Sequence, residues 1–179
     1  MNKYRLIIEY DGTNFSGWQK QENGPSIQES IEKALTKLTG ETVSIFGAGR
    51  TDAGVHAFAQ VAHFELNKKF TIDNIRDGLN QYLRPQPIAI LEAKKENNDF
   101  HARFSAIKRT YEYIITNRRA PLTINVNKSW IVFKALDIDK MFAESKFFLG
   151  KHDFESFRSV DCQSKFSVKT IDDINIFKK

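Results

Sequence analysis

The chain has 179 residues, 41% of them hydrophobic and 27% charged, with 27 Lys and Arg against 22 Asp and Glu for a net charge of +5. That balance excludes a disordered chain. No apolar run reaches the roughly 18–20 residues of a membrane span, and Met1-Asn2-Lys3-Tyr4-Arg5 lacks the apolar stretch of a secretory signal. The single cysteine, Cys162, excludes an internal disulfide and a multi-cysteine zinc site and points to a reducing, cytoplasmic compartment. In that compartment Asn14-Phe15-Ser16 and Asn127-Lys128-Ser129 carry no meaning as glycosylation acceptors.

Residues 3–10 alternate, with Leu6, Ile8 and Tyr10 on one side, and predict a strand. Asp11-Gly12-Thr13-Asn14 is a turn, and a polar loop carrying Phe15 and Trp18 runs to Pro25. Ser26 and Glu29 form a capping box for a helix with Ile27, Ile31, Ala34, Leu35 and Leu38 on its apolar face, closed by Gly40. A strand is predicted over Thr42–Ala48, a loop over Gly49–Gly54 and a second strand over Ala57–Leu66. Thr71–Leu83 repeats the helical spacing and stops before Pro85, and Ile88–Ala93 is a further strand. The order β-α-β-β-α-β is the ferredoxin-like pattern.

The second half starts the same order again. Lys108–Thr116 reads as a strand with Tyr111, Tyr113 and Ile115 on one face, followed by a short strand over Ser129–Phe133. A helix over Asp137–Leu149 closes at Gly150, and a strand-like run covers Ser167–Phe177. The domain reading is a first half over residues 1–100, with the glycine-rich loop, and a shortened second half over residues 101–179. The fold class is α/β (α+β), two ferredoxin-like halves around an antiparallel sheet with the second half incomplete.

Charge is uneven along the chain. Residues 101–134 hold seven basic residues (Arg103, Lys108, Arg109, Arg118, Arg119, Lys128 and Lys134) and one acid, Glu112, for a local net of +6. Phe104, Tyr111, Tyr113 and Trp130 interleave with them. A solvated basic surface accounts for such a stretch, and so does a phosphate-facing one in which aromatic rings stack on bases.

The segment richest in chemistry is Gly47-Ala48-Gly49-Arg50-Thr51-Asp52-Ala53-Gly54-Val55-His56-Ala57. Its glycines permit tight turns and close backbone approach around one carboxylate, Asp52. It lacks the Gly-Lys-Ser/Thr ending of a phosphate-binding P-loop. It also opens no helix in the manner of a dinucleotide fingerprint. An aspartate in such a loop commonly caps a turn. A glycosidase reading needs a second carboxylate about 5–10 Å away, and no second acid recurs beside this motif.

The string Gly-Arg-Thr-Asp-Ala-Gly-Val-His-Ala resembles the active-site motif of the TruA-type tRNA pseudouridine synthase family. Further segments resemble family motifs in the same order. They are Tyr10-Asp11-Gly12-Thr13-Asn14-Phe15-Ser16-Gly17-Trp18-Gln19, Ser26-Ile27-Gln28, and Gln60-Val61-Ala62-His63-Phe64. Phe100-His101-Ala102-Arg103-Phe104-Ser105-Ala106 and Arg109-Thr110-Tyr111-Glu112-Tyr113 follow. The resemblance spans almost the whole chain and implies the pseudouridine synthase fold.

It also implies isomerisation of uridine to pseudouridine in the anticodon stem-loop of tRNA, at tRNA positions 38, 39 and 40. Asp52 is then the catalytic carboxylate, as nucleophile or proton acceptor. Arg50 holds the flipped-out nucleotide, and Tyr111 stacks on the target base. Arg103, Lys108, Arg109, Arg118 and Arg119 are the candidates for RNA phosphates. His56 and His63 shape the loop and strand; Phe15 and Trp18 anchor the loop or the core. Tyr113 reads as the inward face of its strand. No metal or cofactor is required, the partner is tRNA, and the family is homodimeric. The family continues with an apolar helix that brings an arginine close to the aspartate. The sequence stops at Lys178-Lys179 before such a segment, so the resemblance implies a shortened chain with impaired activity. The alternative is a non-catalytic RNA-binding remnant of such an enzyme.

Overall fold

The structure, a computed structural model, describes residues 1–158 and 166–178; Cys162 lies outside them. Its contacts divide the chain into two units, Met1–Glu112 and Tyr113–Lys179.

The first unit is built on β1 (Asn2–Tyr10), α1 (Ile27–Thr39), β2 (Phe46–Gly47), β3 (Ala57–Leu66), α2 (Ile72–Leu83) and β4 (Ile88–Glu96). The strands form one antiparallel sheet in the order β2-β3-β1-β4. Alternation in β1 sends Tyr4, Leu6, Ile8 and Tyr10 into the core. Lys3 and Arg5 take the opposite face and pair with Glu65, Glu92 and Glu96. Tyr4 and Phe64 stack inside the sheet's apolar layer, ring centroids 5.6 Å apart. Ile27, Ile31 and Leu35 of α1 and Ile75, Leu79 and Leu83 of α2 complete the core.

Both helices start where the sequence says. Ser26 Oγ accepts from the Glu29 N–H at 3.2 Å, and Thr71 Oγ1 accepts from the Asn74 N–H at 3.2 Å. The Glu29 carboxylate turns to Lys33, 2.8 Å away. Gly40, at φ 73°, ends α1 by donating to the Thr36 carbonyl.

The predicted strand over Thr42–Ala48 shrinks to Phe46–Gly47. Val43 and Ile45 are buried as their alternation requires. The Ile45 N–H, however, donates to the Glu32 carboxylate at 3.1 Å rather than to a strand. A side chain of α1 has replaced a ladder partner.

The second unit contains β5 (Ile115–Asn117), β6 (Trp130–Val132), α3 (Ile138–Ser145), β7 (Gly150–Asp153) and β8 (Val168–Ile171). β5 and β6 pair in parallel, and β7 and β8 pair antiparallel, as two separate two-stranded sheets. The predicted strand over Lys108–Thr116 is therefore corrected. Of it, Ile115 and Thr116 lie in β5, and Tyr111 and Tyr113 are 74% and 88% exposed. Alternation marks a strand only where a partner strand supplies its hydrogen bonds. Tyr113 does not face inward. The predicted helix over Asp137–Leu149 ends earlier, at Ser145, and continues as a 3-10 turn over Lys146–Phe148. Of the predicted run over Ser167–Phe177, Val168–Ile171 is a strand.

Candidate active site

Asp52 lies on the connection between β2 and β3, and both neighbouring segments clamp that connection through their backbones. The Ala48 N–H donates to the Val61 carbonyl at 2.8 Å, and Gln60 Nε2 donates to the Gly49 carbonyl at 2.7 Å. The Trp18 N–H donates to the Thr51 carbonyl at 2.9 Å, and the Gly54 N–H donates to the Phe15 carbonyl at 3.2 Å. The loop after β1 thus holds the residues on both sides of Asp52.

Two glycines make this approach possible. A Cβ on Gly12 would sit 2.0 Å from the Val55 carbonyl oxygen. One on Gly17, whose φ is 110°, would sit 2.5 Å from that of Thr51. His56 Nδ1 lies 3.2 Å from the Gly12 N–H and 3.1 Å from the Asp11 carboxylate, tying the β3 end of the loop to the turn after β1. Asp11 accepts from the Thr13 N–H at 3.0 Å and stiffens the same turn. His56 therefore shapes the loop, as the sequence suggests, and Trp18, buried in the core, backs Gly47.

At the tip, the Val55 N–H closes a turn on the Asp52 carbonyl at 3.2 Å, and Gly54 takes a φ of 77°. Asp52 and Arg50 both face solvent. Among the described residues neither side chain has an ion-pair partner. The arrangement is a rigid frame carrying an exposed carboxylate and an exposed guanidinium, open to a large substrate.

Several supporting residues carry weak sequence signals. The Tyr10 hydroxyl lies 2.8 Å from Thr51 Oγ1, immediately before Asp52. Burial raises the Tyr10 phenol above its usual range, with the Thr51 bond a smaller opposing influence, so the hydroxyl keeps its proton. A tyrosine at the end of an alternating strand looks like core, and only its hydroxyl distinguishes it. Gln60 likewise reads as an ordinary strand residue until its amide is seen on Gly49.

The segment after β4 returns across the polar face of the sheet. Lys3 Nζ donates to the Asn98 and Phe100 carbonyls at 2.5 and 2.9 Å. The Ala102 N–H donates to Nδ1 of buried His63 at 3.2 Å. His63 packs against Phe46 and His101, with centroids 5.3 and 4.5 Å away. Burial first, then the charges of His101 and Lys3, lower its pKa and keep it neutral.

From this anchored segment Arg103 and Lys108 point to solvent, as does Tyr111. Arg109 is different: its Nη2 donates to the Ala48 carbonyl at 2.8 Å and to the Arg103 carbonyl at 3.3 Å. In the second unit Arg118 folds back on its own turn, donating to the Ala120 and Pro121 carbonyls at 3.2 and 2.9 Å. Arg119 is exposed. No three His, Cys, Asp or Glu side chains among the described residues cluster as metal ligands. No described helix is long and apolar enough to cross a membrane.

The sequence that folds this way matches known proteins. The family model for tRNA pseudouridine synthase matches residues 6–105. A tRNA pseudouridine synthase A of Maricaulis maris is 50% identical over 176 residues, covering 98% of this chain and 71% of that protein. One from Rhodopseudomonas palustris strain BisA53 is 51% identical over 178 residues, 99% of this chain and 72% of that protein. One from Wolbachia pipientis is 50% identical over 177 residues, 98% of this chain and 72% of that protein. The chain belongs to the tRNA pseudouridine synthase family, a family of isomerases.

Proposed function

We propose that the protein isomerises uridine to pseudouridine in the anticodon stem-loop of tRNA, at tRNA positions 38, 39 and 40, with Asp52 as the catalytic carboxylate. The observation that carries the reading is the frame around Asp52: backbone bonds from Trp18, Phe15 and Val61, and the Gln60 amide, fix the loop while the carboxylate faces solvent. Breaking the glycosidic bond calls for an anionic group at the sugar or base, and rejoining through carbon calls for a proton acceptor; one carboxylate serves both needs. A stem uridine is reached only by extrusion from the stack. Arg50, two residues away and exposed, occupies the vacated space or clamps a phosphate. Tyr111 stacks on the extruded base, for which an exposed ring is suited.

Arg103, Lys108, Arg118 and Arg119 are proposed phosphate contacts, since an RNA helix is recognised largely by shape and charge. The Arg109 guanidinium is instead bonded to the Ala48 and Arg103 carbonyls. The protein is further proposed to act in the cytoplasm, as a homodimer across which one tRNA lies.

The test uses tRNA carrying tritium at uridine C5, which is released on isomerisation. The full chain releases label, and Asp52→Asn abolishes release while tRNA binding persists. Normal release by Asp52→Asn overturns the assignment of the carboxylate. Tight, salt-dependent binding by the unaltered chain with no release at any enzyme concentration overturns the enzyme reading.

A further inference from the structure

We infer that Arg109 is a positioning residue of the reaction, which sets the Asp52 loop and the Tyr111 segment relative to each other, and that this is its role in place of a phosphate contact. The inference rests on the roles proposed above for Asp52 and Tyr111.

Ala48 is the hinge point. It is the residue at which β2 becomes the catalytic loop, and its peptide is held on both sides. Its N–H donates to the Val61 carbonyl at 2.8 Å, and its carbonyl accepts from Arg109 Nη2 at 2.8 Å. The same Nη2 donates to the Arg103 carbonyl at 3.3 Å, so one nitrogen ties two chain segments together. The Arg109 side chain also lies along Gly49: a Cβ there would stand 3.7 Å from Nε. Ala48 precedes Asp52 by four residues, and Arg109 precedes Tyr111 by two.

Lys108–Ile114 forms no strand, and the Arg109 side chain fastens the start of that segment to the Ala48 and Arg103 carbonyls. Nη2 donates to two carbonyls, and a charged donor on a carbonyl is among the stronger hydrogen bonds.

A phosphate contact and a positioning contact fail differently. Losing a phosphate contact weakens tRNA binding and lowers the salt slope by about one, with the rate of the bound complex unchanged. Losing a positioning contact leaves binding in place and slows the bound complex, since a misplacement of about 1 Å costs up to about 100-fold.

The experiment is single-turnover tritium release at saturating enzyme, with tRNA binding measured over a range of salt, for Arg109→Ala, Arg109→Lys and Asp52→Asn. For Arg109→Ala the rate falls about 10- to 100-fold while affinity and salt slope hold. Arg109→Lys keeps the charge, but one ammonium does not span both carbonyls as the planar fork does. It binds normally and stays slow. This second variant carries the test if the alanine variant folds poorly.

Amide hydrogen exchange reads the same contact without turnover: exchange quickens over Gly49–Val55 in both variants and is unchanged in α1. Normal saturating rates with weakened binding and a shallower salt slope overturn the inference, as does unchanged loop exchange. If Arg109→Lys is normal and Asp52→Asn is inactive, only the Arg109 role fails. If Asp52→Asn also turns over normally, the site reading itself fails.

Discussion

In Met1–Glu112 the aromatic side chains Tyr4, Tyr10, Trp18 and Phe64 lie inside, against two helices and across paired strands. In Tyr113–Lys179, Ile124, Trp130, Phe133, Phe147 and Phe157 face solvent, and among the described residues of that unit only Ser145 is buried. Apolar residues are plentiful in both. The difference is in what they meet. The first unit closes its own sheet, with β1 paired on both sides. The second holds two pairs of short strands, and a two-stranded sheet is marginal by itself. An apolar pattern states a demand for a partner; it does not supply one.

The same truncation placed in each unit gives the largest effect and the sharpest contrast. Phe64→Ala removes a fully buried ring stacked on Tyr4 and should cost about 3–5 kcal/mol. Phe157→Ala removes a ring that is 72% exposed and should change stability by about 0.5 kcal/mol or less. Urea unfolding followed by fluorescence checks both, because Trp18 reports the first unit and Trp130 the second. Equal losses for the two variants would break the comparison.

A smaller effect tests whether the frame of the loop belongs to the well-packed region. Gly12→Ala places a methyl 2.0 Å from the Val55 carbonyl oxygen. Backbone must move, at a cost of about 1–3 kcal/mol. The displaced segment carries His56 and the end of the Asp52 turn. Tritium release should fall further than stability predicts, with tRNA binding retained. A variant with normal turnover would show that the frame tolerates displacement and does not hold the loop.

Legibility in the sequence follows the same division. The cap at Ser26, the helical spacing up to Leu83, the glycine at position 40 and the alternation of β1 are local signals, and each is found where it was read; the Thr71 cap is seen only in the fold. Thr42–Ala48 has the right alternation but lacks most of its ladder, because Glu32 takes the Ile45 N–H from a different element. Lys108–Ile114 alternates but forms no strand. In both cases the missing information is the identity of a distant hydrogen-bonding partner, which no local pattern contains. At the site, the motif singles out Asp52 and Arg50 by residue type. The contacts of Tyr10, Gln60 and Arg109 join positions 41, 11 and 61 residues apart and emerge only from the fold.

The smallest predicted effect concerns the contact that fastens the returning segment to the sheet. His63 is neutral in the fold: burial is the main cause, and the charges facing it are His101 and Lys3, which disfavour its proton, and Glu65, which favours it. Its pKa lies below the ordinary value of 6.5. The unfolded chain therefore binds a proton here at a higher pH than the folded chain does. Stability from His63 is complete above 6.5 and declines as pH falls through that value toward the depressed folded pKa. Protonation would also place a hydrogen on Nδ1, which now accepts from the Ala102 N–H. Urea midpoints measured between pH 7.5 and 5.5 should fall for the unaltered chain. His63→Asn offers an acceptor to the Ala102 N–H in a similar position and carries no titrating proton, so its midpoint should fall less over the same range. An identical slope in the two proteins would mean that protonation of His63 does not set the pH dependence of stability, and that the bond to the Ala102 N–H is not what the acid side loosens.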